Sequence, residues 1–145
     1  MIATTRTTTA RGITMMCVAA LAGGTLTLRA TQPAATPAPP RASELAPATF
    51  LLPGAILPER GPDGNTVVLV GPEGLVVIDT GRHPWHSDGI VTFAKAQGRP
   101  ITAIVNTHWH LDHASGNRRL KAAYPQARVY TTTAVNAAIG PGGFL

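Results

Sequence analysis

Three imidazoles and one carboxylate fall within six consecutive residues, His108, His110, Asp112 and His113 of the run HWHLDH, and they account for three of the chain's five histidines. Neutral imidazole and carboxylate suit zinc, a borderline-soft ion, without any thiolate; non-heme iron or manganese would accept the same donors. Residues two apart in an extended segment share a side, so His108 and His110 can offer two nitrogens to one ion. A turn after them would let Asp112 and His113 face a second. Two such ions about 3.5 to 4 Å apart can share a bridging hydroxide available near neutral pH while one polarises the bond under attack. The chemistry so outlined is hydrolysis. The plain alternative is a surface cluster, which the concentration of donors at the exit of an apolar run argues against. A purely structural zinc site is disfavoured because such sites prefer four closed ligands, often cysteines. His83 and His86, in the polar stretch GRHPWHSDG, are expected to be solvent-exposed or to support a site indirectly. Trp85 and Trp109 suit an apolar substrate wall or the core.

The elements that must position these residues are legible around them. Thr66 to Val70 and Leu75 to Ile78 are β-branched runs separated by Gly-Pro-Glu-Gly, a strand-turn-strand signal, and their apolar character predicts that at least one is buried on both faces. The second ends in Asp79-Thr80-Gly81, with the acid where a chain leaving a sheet can point into a cleft. Ser87 and Asp88 suit a helix start, Ile90, Phe93 and Ala94 give it an apolar stripe, and Gly98-Arg-Pro100 stops it. Ile101 to Val105 forms the next strand and runs directly into the histidines. A helix over Ser115 to Ala123, a strand over Arg128 to Thr131 and a short helix over Thr133 to Ile139 follow. This order predicts an α/β layer with its polar site in the loops beyond the strand ends.

VVLVGPEGLVVIDTG followed by ITAIVNTHWHLDHASGN resembles the start of the metallo-β-lactamase fold superfamily of metallohydrolases, over roughly Asn65 to Asn117. The resemblance implies half of an αββα sandwich, with Leu52 to Leu145 accommodated in the family's N-terminal half. It implies that His108 and His110 bind one zinc ion and Asp112 with His113 a second, with Asp112 also orienting the hydroxide. Asp79 would support the site through a ligand, Gly116 would let a backbone pass close, and Asn117 would fix the turn. His113 in fourth place resembles the pattern of glyoxalase-II-like hydrolases and one lactamase branch. The implied activity is zinc-dependent hydrolysis of a small molecule, with two ions in a complete relative; the bond hydrolysed is left open. A noncatalytic envelope or interaction module that keeps the fold is the alternative.

The remainder bears on context. Residues 1–30 combine Arg6 and Arg11 with an uncharged run from Ile13 to Leu28, the pattern of a secretory signal peptide; an N-terminal anchor or sequence from a misassigned start codon are the alternatives. Cys17, the single cysteine, lies inside that run, so the exported chain would carry no thiol. Export predicts a periplasmic or secreted protein, with transient membrane contact on the way. Residues 31–54 are rich in Pro and Ala and read as a flexible spacer, leaving 55–145 as the N-terminal portion of the fold. The net charge of +5 is concentrated early: residues 51–145 hold eight basic and six acidic groups, a net of +2, which gives no footing for nucleic-acid binding. No histidine, acid or cysteine follows His113. Each ion would thus have two protein ligands where a catalytic zinc normally has three, and the hydrolase is expected to be incomplete as given and inactive alone. Half a sandwich with a bare face is also expected to aggregate, to associate with another copy or to depend on a second polypeptide.

Overall fold

The computed structural model describes residues 35–139. The expected signal peptide with Cys17 and the closing Gly-Pro-Gly-Gly stretch lie outside the described residues. Eight strands and four helices follow in order: β1 (Ser43–Ala46), β2 (Thr49–Leu52), β3 (Ile56–Leu57), β4 (Gly61–Pro62), β5 (Thr66–Val70), β6 (Leu75–Ile78), α1 (Pro84–Ala96), β7 (Ile101–Val105), α2 (Leu111–Ala114), α3 (Asn117–Ala123), β8 (Arg128–Tyr130) and α4 (Thr133–Ile139). Six strands form one mixed sheet in the order β1-β2-β5-β6-β7-β8, and β3 with β4 makes a separate hairpin. β5 and β6 are antiparallel, as a short turn between them requires, whereas β6, β7 and β8 run parallel because helices cross between them.

One face of the sheet is the core. Val68, Val77 and Ile104 lie in register across β5, β6 and β7 and are fully buried, together with Leu52 and Leu75. Ile90 and Ala94 of α1 and Leu120 of α3 close over them. Burial of each such Val, Leu or Ile contributes about 1.5 to 3 kcal/mol, so this layer holds the strand ends in place. Phe50 and Phe93 extend it at one side, with ring centroids 5.0 Å apart. On the opposite face Val67, Val76, Ile78, Ala103 and Val105 are only half buried and Leu69 is exposed. The expectation that β5 or β6 is buried on both faces is therefore corrected: both alternate, because helices cover a single side.

Three further boundaries differ from the sequence reading. Part of the presumed spacer is sheet: β1 pairs with β2, and β2 pairs with β5, from Thr49 against Leu69 to Leu52 against Thr66. Leu52 supplies a fully buried side chain, which anchors a segment whose Pro and Ala content alone gives no burial signal. α1 begins at Pro84 rather than at Ser87, since proline at the first helical position sacrifices no hydrogen bond and is preset in φ. The helix predicted over Ser115 to Ala123 starts at Asn117, and a separate short helix, α2, precedes it inside the histidine run.

Candidate functional site

β6, β7 and β5 deliver three segments to one end of the sheet, where Asp79, Asn106 to His113 and Asp63 to Thr66 meet. Asp79, the first residue beyond β6, is 4% exposed and adopts φ 59°, a left-handed conformation that costs an aspartate about 1 to 2 kcal/mol. It is held there by many bonds. Its amide donates to Val105 O at 2.8 Å, and its carbonyl accepts from Thr66 Oγ1 at 3.0 Å. Its carboxylate accepts from the Thr107 amide at 2.9 Å, from Thr107 Oγ1 at 2.7 Å and from His113 Nδ1 at 2.7 Å.

These bonds fix which ring nitrogens are available. The Thr107 hydroxyl donates to Asp79, so its oxygen accepts from His108 Nδ1 at 3.0 Å. With both Nδ1 atoms donating, neutral His108 and His113 each present the Nε2 lone pair. The two rings lie 4.0 Å apart, and His110 stands edge-on to His108 at 4.6 Å. His113 Nε2 is 3.2 Å from Asp112 Oδ2. Donors about 2.0 to 2.1 Å from a tetrahedral zinc lie about 3.3 Å from one another, so this pair has the spacing of two donors to one ion. The donor chemistry thus fits zinc in pairs; among the described residues, however, no group of three or more His, Cys, Asp or Glu is disposed to hold a metal ion.

The extended segment ends at His110, and the chain turns after it. His110 caps α2, and the helical turn swings Asp112 and His113 back toward Asp79. Several close approaches pin that turn. Gly64 donates its amide to Asp112 O at 2.9 Å, and a side chain at Gly64 would come within 3.0 Å of His113 Nε2. His113 O accepts from the Thr80 amide at 2.8 Å and from Asn106 Nδ2 at 3.0 Å. Asn117 donates to Asn106 Oδ1 at 2.6 Å, and Thr80 Oγ1 donates to Asn117 Oδ1 at 3.0 Å. Gly116 lies directly on the strand end, where a Cβ would strike Thr80 O and come within 2.5 Å of Ser87 Oγ.

His83 and His86 stand apart from the histidine run. His86 is 1% exposed, so of the two expected roles solvent exposure does not hold for it, and it touches the site only through Thr66. Thr66 Oγ1 already donates to Asp79 O, so it accepts from His86 Nε2 at 2.8 Å. Burial pushes the His86 pKa below its ordinary value; the Asp63 carboxylate opposes that shift and His83 adds to it. His83 sits between Asp63 Oδ2 at 3.0 Å and Arg60 O at 2.9 Å, and stacks on Trp85 at 4.1 Å. Trp109 stands edge-on to His110, and neither tryptophan belongs to the core cluster. Asp63, Thr66, Asn106 and Thr107 are the positioning residues that sequence reasoning missed. Asp63 Oδ1 accepts from the amides of Arg82 and His83 and so orders the entry to α1. Only its place in a Pro-Asp-Gly turn signalled it.

Comparison with known proteins agrees with this arrangement. A sequence model of the Metallo-beta-lactamase superfamily matches residues 60–144, and the chain belongs to that superfamily. Among curated proteins it is 44% identical over 46 residues to a hydroxyacylglutathione hydrolase from a Synechococcus strain, covering 32% of this chain and 18% of that protein. It is 42% identical over 50 residues to a linear primary-alkylsulfatase from a Pseudomonas strain, covering 34% and 10%. The solved metallo-beta-lactamase from Hirschia baltica superposes with a TM-score of 0.58 at 23% identity, covering 68% of this chain and 45% of that one. The fold is therefore a partial metallo-β-lactamase fold. This chain spans less than half the length of the relatives it matches.

Proposed function

We propose that this chain carries the ligand segment of a zinc-dependent hydrolase acting on a small molecule. The observation that supports it is the pair of hydrogen bonds from His113 Nδ1 to Asp79 and from His108 Nδ1 to Thr107, which leaves both Nε2 atoms as acceptors, that of His113 3.2 Å from Asp112 Oδ2. His108, His110, Asp112 and His113 would hold the metal, which supplies Lewis acidity to polarise the scissile bond and acidify water. The remaining roles belong to the chain. Asp79 and Thr107 fix the tautomers and aim of two imidazoles, Asp112 orients the attacking water through its carboxylate, and Gly64 keeps a side chain off His113 Nε2. Residues 1–30 would direct export to the periplasm or beyond, or anchor the chain; no helix among the described residues is long and apolar enough to cross a membrane.

A noncatalytic envelope or interaction module is the second reading, favoured by the lack among the described residues of a three-membered metal-holding group. The two readings separate in one assay. The full chain is offered an acylglutathione thioester, an alkyl sulfate and a β-lactam, with and without chelator. Two protein donors per ion fall short of a complete catalytic site, so full activity is not expected of this chain; the hydrolase reading predicts a residual slow rate on at least one of them, abolished by chelator, restored by zinc and at least tenfold lower in His110→Ala. Zinc retention with no turnover of all three contradicts the hydrolase and supports the module.

A further inference from the structure

A cavity of about 410 Å3 opens between the first turn of α1 and α3, lined by Arg82, Arg118, Arg119, His83, Ser87 and Ser115 among others. It includes none of the four candidate metal ligands and no carboxylate. The acids closest in the hydrogen-bond network are already engaged. Asp88 Oδ1 pairs with Arg119 Nε at 2.6 Å, and both oxygens of Asp63 accept from the backbone of Arg82 and His83 and from the His83 ring. The guanidiniums of Arg82 and Arg118 make no hydrogen bond or ion pair among the described residues, and the Ser115 hydroxyl is likewise without a partner there. Two uncompensated cations thus share one concavity with a hydroxyl.

We infer that this cavity is a binding site for a small oxyanion, a phosphate or carboxylate group of a small molecule, separate from the histidine cluster. Its volume lies within the range of small-ligand sites. A guanidinium presents a planar fork of donors that matches such an oxyanion bidentately, and the cavity is lined by two of them from different elements, Arg82 from the loop before α1 and Arg118 from α3. The floor is the Ser115-Gly116 turn, in which Gly116 donates to Gly81 O at 3.1 Å. An anion held there would tie α3 to the loop preceding α1.

The test is titration of the full-length chain with inorganic phosphate and, separately, acetate, followed calorimetrically against sodium chloride at matched ionic strength. Saturable binding of at least one oxyanion is expected, weakened at least tenfold in Arg82→Gln/Arg118→Gln. Preference for phosphate or for acetate identifies which group the site takes. Both substitutions are at exposed positions, and circular dichroism checks that the fold is kept. Arg128→Gln, on β8, should bind as the wild type does. His108→Ala should also bind normally, which separates this site from the proposed metal ligands. Equal binding by the double variant, equal loss in Arg128→Gln, or a response reproduced by chloride overturns the proposal.

Discussion

Asp79 joins the strained end of β6 to the ring of His113, so its charge and its backbone conformation can be tested separately. Asparagine tolerates left-handed φ about as well as aspartate, so Asp79→Asn should keep the fold while removing the anionic acceptor from His113 Nδ1. Partners of this kind typically alter metal affinity by about 10-fold to 100-fold. Zinc affinity measured by competition with a chromophoric chelator should fall within that range; unchanged affinity together with reduced stability would reduce Asp79 to a turn residue. At this scale the site was largely legible in the sequence, because four donors lie within six residues and the acid ends an apolar strand. Thr66, Asn106 and Thr107 were not legible. Their partners are distant in sequence or depend on the turn at Leu111, and neither composition nor periodicity encodes that.

α1 carries the clearest linkage between packing and pH. His86 is buried on it and donates from Nε2 to Thr66 of β5, and burial lowers its pKa from the ordinary 6.5. The folded state therefore binds fewer protons than the unfolded one in the window below pH 6.5, and there stability rises with pH. Urea unfolding should show the wild type losing stability as pH falls below that value, with His86→Gln, which keeps a donor for Thr66, losing less. Parallel curves for the two proteins would remove His86 as the cause. Element recognition succeeded where apolar runs met chemically suitable turns, as in β5, β6 and β7. It failed for β1, whose four residues are all exposed, because an edge strand without a buried side carries no alternation to read. α2 escaped because Leu111 to Ala114 is a single helical turn inside the histidine run, too short to show a periodicity.

At the scale of the whole molecule, the sheet covered by helices on one side leaves Val67, Leu69, Val76, Ile78, Ala103 and Val105 on the other, with Leu69 38% exposed. A contiguous apolar face of this kind is unfavourable in water and is expected to be covered by association. Sedimentation velocity should show the full chain associating with rising concentration, and Leu69→Lys/Val76→Lys should shift it toward monomer. A wild type that stays monomeric throughout would contradict that expectation. The same sheet carries the four candidate ligands at its end, whether or not its open face is covered. The most direct measurement is the zinc retained per full-length chain after exhaustive dialysis, determined by elemental mass spectrometry for the wild type and for His108→Ala/His113→Ala. At least one equivalent in the wild type and almost none in the double variant is the predicted result. A wild type without zinc, or a double variant that retains as much, would contradict the assignment of these residues as the metal ligands of a hydrolase.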